Sequence, residues 1–277
     1  MVTTAEPHRF AALTTGLIEI GGRAFAWTSG GKGSPLLLVN GYAATSADWD
    51  PTFLGGLAEG FEVICPDNRG LGGSDLGVGE LTVEGMAADL EVLLDELGIE
   101  RLPVVGWSMG GFVAQRLALR APQRVTKLAL LGTDPGGREA ALADAEVWAR
   151  LTDHSGTPRQ QASRLIALIF PPTLSPQVDR EFGDIVAAAR AELSPHALRG
   201  QEAAMEAWHA EEQELPQSPP PPTLVLHGER DVVIPVPNAG TLAERWGGEC
   251  ELFPGAGHAF MAQDPQRVAT RLNEFFA

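Results

Sequence analysis

Cysteine is nearly absent. The 277-residue chain holds only Cys65 and Cys250, far apart in sequence, which excludes a disulfide scaffold and the clustered spacing of a zinc site. Both fall in apolar stretches that read as strands, so both are expected as buried thiols. Basic residues are few beside acidic ones, 20 against 36, for a net charge of −16. Such a field repels nucleic acid and anionic membranes, and neither is an expected partner. No apolar run approaches the roughly 18 residues needed to cross a bilayer. Residues 1–16 hold no apolar segment long enough for a secretory signal, so a cytoplasmic location is the expectation. Cys/His/Asp clusters at metal spacing and glycine-rich phosphate loops are missing as well, and no metal, nucleotide or other cofactor is expected. The run Glu211-Glu212-Gln213-Glu214 reads as a solvated face instead of a metal site.

What is present is an ordinary globular composition, 44% hydrophobic and 20% charged, which argues against general disorder. The length suits one large domain, or a core carrying a substantial insertion. Residues 17–20 and 24–28 are short apolar segments joined by Gly21-Gly22, a hairpin signal. Residues 36–39 form a continuous apolar run between Pro35 and Gly41, as in a strand buried on both faces. Residues 61–65 are a further strand, closed by Pro66. From 82 to 97 the apolar residues recur at helical spacing until Gly98 supplies a stop. Then come a strand at 103–106, a helix at 109–120, and a strand at 125–131. Pro103 has no N–H to donate, so it is expected to be its strand's first residue. Near the carboxyl terminus lie strands at 223–227 and 251–253 and helices at 236–245 and 265–276. Strands alternating with helices predict an α/β architecture, a mostly parallel central sheet flanked by helices.

Residues 135–215 break that rhythm. The segment is rich in Ala, Glu, Arg and Gln, is punctuated by prolines, and contains no convincing strand. Three or four short helices are expected there, followed by Pro219-Pro220-Pro221-Pro222 as a stiff extended spacer. The expected organisation is a core over 1–134, an inserted helical cap over 135–215, and the rest of the core over 216–277.

Gly106-Trp107-Ser108-Met109-Gly110 sits where a buried strand runs directly into a helix. A turn that tight strains the backbone of its middle residue and lifts that side chain clear. Glycines at 106, 110 and 111 remove the side chains that would collide there. A serine hydroxyl attacks poorly until an imidazole takes its proton, and the imidazole needs a carboxylate to hold its tautomer. Of six histidines, His8 lies in the amino-terminal tail and His154, His196 and His209 lie in the insert. His227, at a strand end, is expected in a structural hydrogen bond, which leaves His258 in the loop Gly255-Ala256-Gly257-His258.

Residues 106–111 and the helix after them resemble the nucleophile elbow of the α/β-hydrolase fold family. The likeness runs along nearly the whole chain. Asp67-Asn68-Arg69-Gly70-Leu71-Gly72-Gly73-Ser74-Asp75 is similar to the family's loop after its fourth strand, and His227-Gly228-Glu229-Arg230-Asp231 to its acid-bearing loop. The Gly255–His258 segment resembles the family's histidine loop, and the insert lies where the family carries its cap. The resemblance implies a capped serine hydrolase with Ser108 as nucleophile, His258 as base and Asp231 as the orienting acid, in the family's chain order. Asp134, after the strand at 125–131, is the rival acid and is otherwise expected to cap the turn through Pro135-Gly136-Gly137. The resemblance also implies an oxyanion hole built from the amides of Met109 and Tyr42, with Tyr42 alternatively a pocket wall. Here Asn40-Gly41-Tyr42 departs from the family's common His-Gly.

Trp107, Phe260 and Met261, with Trp148, Phe170 or Trp208 from the insert, are the expected lining of the acyl pocket. The expected activity is cleavage of small carboxylic esters or lactones. Enol-lactonase, carbon–carbon bond hydrolase and cofactor-free perhydrolase chemistries remain open with the same triad, as does a non-catalytic small-molecule receptor. Aspartate-nucleophile dehalogenases and epoxide hydrolases are disfavoured by Ser108 at the elbow.

Overall fold

The computed structural model describes residues 14–216 and 219–277; the tail that carries His8 and most of the segment read for a secretory signal lie outside them. Among the described residues eight strands form one sheet in the order β1-β2-β4-β3-β5-β6-β7-β8. β1 (Thr14–Ile20) and β2 (Arg23–Gly31) form the expected hairpin, with Gly21 and Gly22 both at positive φ. β2 pairs antiparallel with β4 (Phe61–Pro66), and from β4 onward every neighbour is parallel. These strands are β3 (Ser34–Val39), β5 (Leu102–Trp107), β6 (Val125–Leu131), β7 (Thr223–Gly228) and β8 (Glu249–Phe253).

Continuous apolar runs in the central strands are explained by burial on both faces. In β3, Leu37 and Val39 face a core shared with α2 (Val83–Glu96), α3 (Met109–Arg120) and α8 (Pro237–Trp246). Leu36 and Leu38 face the other core, against α1 (Pro51–Ala58) and α10 (Pro265–Phe276). The two-residue period of a strand sorts alternate side chains onto opposite faces. The sheet is thus covered on both sides, as the alternating pattern predicts.

Two local expectations need correction. Leu102, not Pro103, opens β5, and the register with β6 shifts between Leu102 and Val104. A bulge accommodates a residue with no hydrogen to give the ladder. Cys65 is buried, but Cys250 is exposed, because β8 is the edge strand. Helix α1 lies outside the elements expected from the sequence, although Asp50-Pro51 is a readable start signal. Asp50 accepts hydrogen bonds from the amides of Thr52 and Phe53 at 2.8 and 3.0 Å, and proline takes the first helical position.

Between β6 and β7 the chain forms the cap. Among the described residues it contains four α-helices, α4 (Ala145–Leu151), α5 (Pro158–Ile169), α6 (Ser175–Ala191) and α7 (Pro195–Ala210). α6 and α7 are 17 and 16 residues long, so the expectation of short helices fails for half of them; a proline near the start of a helix sets φ without interrupting it. Gln213 also departs from the solvated-face reading. It is buried, accepts from Arg116 at 2.6 Å and donates to the Trp208 carbonyl at 2.9 Å. A short α9 (Phe260–Gln263) follows β8. Among the described residues no helix is long and apolar enough to cross a membrane.

Candidate active site

Ser108 occupies the step from β5 into α3 at φ 54° and ψ −125°. A non-glycine residue at positive φ costs roughly 1–3 kcal/mol and persists only where its surroundings hold it. Here the Ser108 amide donates to the Leu131 carbonyl at 2.9 Å, and the Ser108 carbonyl accepts from Gly111 N and Thr133 Oγ1, both at 2.8 Å. The flanking glycines are sterically required. A Cβ on Gly106 would lie 2.4 Å from the Gly110 carbonyl oxygen, and one on Gly110 would lie 2.2 Å from the Val39 carbonyl oxygen.

The partner loops leave the same edge of the sheet. Asp231 follows β7, and its Oδ1 accepts from the amides of Val233 and Ile234 at 2.9 Å each. Its Oδ2 lies 2.7 Å from His258 Nδ1. Burial pushes the Asp231 carboxyl up, but the charge and hydrogen bond of His258, with the bond from His227, outweigh it and hold the group at about 2. An ionised carboxylate on Nδ1 leaves Nε2 as the basic nitrogen. His227 accordingly plays a structural part: Nε2 lies 2.8 Å from the Ile234 carbonyl, fixing the loop that carries Asp231.

The backbone at Leu131 and Gly132 ties the three loops together. Leu131 receives the Ser108 amide, and a Cβ on Gly132 would stand 3.5 Å from both Asp231 Oδ2 and His258 Nδ1. Ser108 and His258 line one cavity. Among the described residues the Ser108 hydroxyl makes no hydrogen bond to the imidazole, a looseness common before substrate is seated. Trp107 covers the histidine: its ring centre is 5.4 Å from the imidazole, and Nε1 donates to the His258 carbonyl at 3.3 Å.

Asp134 is committed elsewhere. It accepts from Gly136 N at 2.8 Å and from Trp208 Nε1 at 3.2 Å, and it lies 3.0 Å from His209 Nε2. This is the anticipated turn cap, extended into α7.

The Asn40 departure also has a structural cause. Asn40 is fully buried, donates to the Pro66 carbonyl at 2.7 Å, and accepts from Trp49 Nε1. The next residues pass beside the nucleophile, where a Cβ on Gly41 would be 3.2 Å from Ser108 Cβ. Ala43 stands at φ 56°.

Two neighbouring residues of α7, unnoticed in the sequence, hold that loop. Gln201, fully buried, accepts from Ala43 N at 2.9 Å. Glu202 accepts from the Tyr42 hydroxyl at 2.5 Å and lies 2.6 Å from His154 Nε2. Burial and Glu202 together raise the Tyr42 pKa. Arg190 is buried close by, and desolvation lowers its pKa. No sequence signal marks such contacts, because they join residues about 160 positions apart.

Trp107, Met261, Trp148 and Phe170 line the cavity, and Tyr42 is part of its wall. Phe260 and Trp208 do not. Phe260 packs at 5.0 Å from Phe253 in the core, and Trp208 stacks at 5.2 Å on Phe112. Trp208 is an aromatic of a cap helix, where helical periodicity alone does not distinguish core from pocket; Phe260 opens the short α9 and turns into the core.

A family model described as the alpha/beta hydrolase fold matches residues 34–265. The chain belongs to the α/β-hydrolase fold family. It is 29% identical to a 2-hydroxymuconate semialdehyde hydrolase from a Pseudomonas species, over 89% of this chain and 88% of that protein. Among solved structures, a hydrolase from Pseudomonas aeruginosa superposes with a TM-score of 0.78 at 26% identity, covering 96% of this chain and 98% of that one. An enzyme described as degrading N-acyl homoserine lactones gives 0.74 at 25% identity, covering 94% and 100%. The α/β-hydrolase chain therefore has hydrolases of several chemistries among its relatives.

Proposed function

We propose that this α/β-hydrolase cleaves carboxylic esters or lactones through an acyl-enzyme on Ser108. The observation that carries the reading is the strained serine at the elbow, facing one cavity with an imidazole held by a buried carboxylate at 2.7 Å. Ser108 Oγ attacks the carbonyl carbon as His258 Nε2 accepts its proton, and the carbonyl electron pair moves onto oxygen. The amides of Tyr42 and Met109 receive that oxyanion; Met109 opens α3, where the first amides have no partner within the helix. Collapse expels the alcohol, which takes the proton from His258. Water then gives a proton to His258 and attacks the acyl carbon; collapse breaks the bond to Ser108 Oγ, His258 returns its proton to that oxygen, and the acid leaves. Residues 135–215 act as the cap that excludes bulk water.

The cavity wall carries Asp48, Asp50, Asp134, Glu181 and Glu206 but no lysine or arginine. An anionic substrate group finds no lysine or arginine in that wall, which favours neutral esters and lactones over anionic ones. A panel of aryl esters, lactones, carbon–carbon cleavage substrates and peracid formation, run on one preparation, tests the choice. Ester or lactone turnover is expected to exceed the others. Tight ligand binding without turnover, and no labelling by a fluorophosphonate, would instead mark a receptor.

Gln201 supports the Tyr42 amide indirectly, by accepting from Ala43 N in a backbone conformation that costs free energy. Gln201→Leu leaves that amide unpaired. Its kcat for an aryl ester is expected to fall roughly tenfold to a hundredfold, because a small misplacement of a positioned group is costly. KM should change by less than about threefold, since the donor acts mainly on the oxyanion. A lower melting temperature with unchanged kcat would reduce Gln201 to a packing residue.

A further inference from the structure

The cavity above Ser108 encloses about 1150 Å³, against roughly 300–1,000 Å³ for pockets that hold drug-sized ligands. A short ester leaves most of it empty. Its wall is largely apolar and continues outward from the catalytic floor. Ile166 and Ile169 of α5 line it, the Ile169 carbonyl accepting from Ala259 N beside His258 at 3.0 Å, as do Val178, Phe182 and Ile185 of α6. The three α6 residues are spaced four and three apart, so they share one helix face.

That face ends in water. Phe182 and Ile185 are 50% and 67% exposed, and Leu142, also in the cavity wall, is 59% exposed. These are three of the eight large hydrophobic side chains that stand exposed among the described residues, and all three line this cavity. Scattered exposed apolar residues need no explanation; a group continuous with an apolar cavity marks a ligand surface. The surface is joined to the nucleophile through the cavity, so its occupant must reach Ser108. A second protein copy resting on α6 would cover the mouth without filling the interior.

We infer that the substrate carries a long aliphatic chain, with its reacting carbonyl at Ser108 and the chain running along α5 and α6 to Phe182 and Ile185. The inference rests on the ester reading of Ser108. Each methylene taken from water into the apolar wall adds binding free energy, and a chain that covers Phe182 and Ile185 also removes their surface from water. The chain's contribution thus grows with length until the mouth is reached.

The test is a series of p-nitrophenyl esters, acetate, butanoate, octanoate and dodecanoate, held below their aggregation limits. Wild type and the double variant Phe182→Glu/Ile185→Glu are compared, with sedimentation of both. Wild-type kcat/KM is expected to rise about twofold to fourfold per methylene between butanoate and octanoate. The double variant should lose about tenfold or more on octanoate and dodecanoate while staying within about twofold on acetate, because only long chains reach the altered mouth. Both positions are exposed, so folding is preserved. A flat or falling wild-type series, with acetate turnover that depends on Ser108, overturns the long-chain inference and leaves the ester reading intact. Equal losses on acetate and dodecanoate overturn it too, as does a change of oligomeric state in the variant, which assigns the face to a second copy. Absence of turnover and of fluorophosphonate labelling with every ester overturns both readings.

Discussion

Replacing Ser108 by alanine is expected to lower ester kcat by about 10⁶-fold, the scale seen when the nucleophile of a serine triad is removed. The loss is chemical, not structural. Alanine keeps the Cβ and the same backbone demands, and the Ser108 side chain caps nothing at the start of α3. The variant should therefore melt close to wild type and lose labelling by a fluorophosphonate. Ser108→Gly gives a sharper version of the experiment. Glycine relieves the φ 54° conformation, so this variant should be equally inactive. It should melt above the alanine variant by a few degrees, from about 1 kcal/mol of released strain after glycine's own entropic cost. Near-normal turnover in Ser108→Ala would mean that another group performs the attack.

Asp231→Asn is the second large effect. An asparagine side chain can still accept from the amides of Val233 and Ile234, so the loop keeps its shape. Its amide group then faces His258 Nδ1 and donates where the carboxylate accepted. The proton moves to Nε2, and the imidazole can no longer receive the one from Ser108. A loss of about 10⁴-fold in kcat is expected from this tautomer change. Stability has a matching signature. Because the carboxyl is held at about 2 in the folded chain against an ordinary 3.8, its stabilisation is present above about pH 4 and is lost as pH falls toward 2. The difference of 1.8 corresponds to about 2 kcal/mol. Thermal melts at pH 6 and near pH 2 should show wild type ahead of Asp231→Asn in the first and level with it in the second. An Asn variant with wild-type kcat would remove Asp231 from the proposed triad and direct attention to Asp134.

The elements that the sequence made readable share one property: their evidence is local. Gly21-Gly22 marks a turn, Leu36 to Val39 mark a strand covered on two faces, and the spacing from Val83 to Leu94 marks a helix stripe. Met109–Arg120, Val125–Leu131 and Pro265–Phe276 appear at the boundaries expected. The elbow is legible for the same reason, since strand, strained serine, glycines and helix occupy consecutive positions. Asp231 and His258 are harder, but each sits in a short loop at a strand end, and the topology brings those ends to one edge.

Errors begin where the answer depends on what a residue meets across the molecule. The rule about strand starts puts Pro103 first in its strand, whereas the neighbouring strand absorbs it with a register shift. Cys250 reads as buried until β8 is known to be the sheet's edge. Trp208 and Trp148 are both aromatics of the insert's helices, and Phe260 and Met261 are sequence neighbours after His258, yet Trp208 and Phe260 face Phe112 and Phe253 while Trp148 and Met261 face the cavity.

Periodicity and turn chemistry, which act over a few residues, were enough to specify a mostly parallel sheet, its flanking helices and a serine raised at a strained turn. The hold of Gln201 and Glu202 on the loop beside Ser108, and the apolar path to Phe182 and Ile185, arise only when the cap settles on the sheet. Those contacts depend on the angle at which whole helices pack. Many side-chain contacts distant in sequence set that angle together, and no short stretch of chain encodes it.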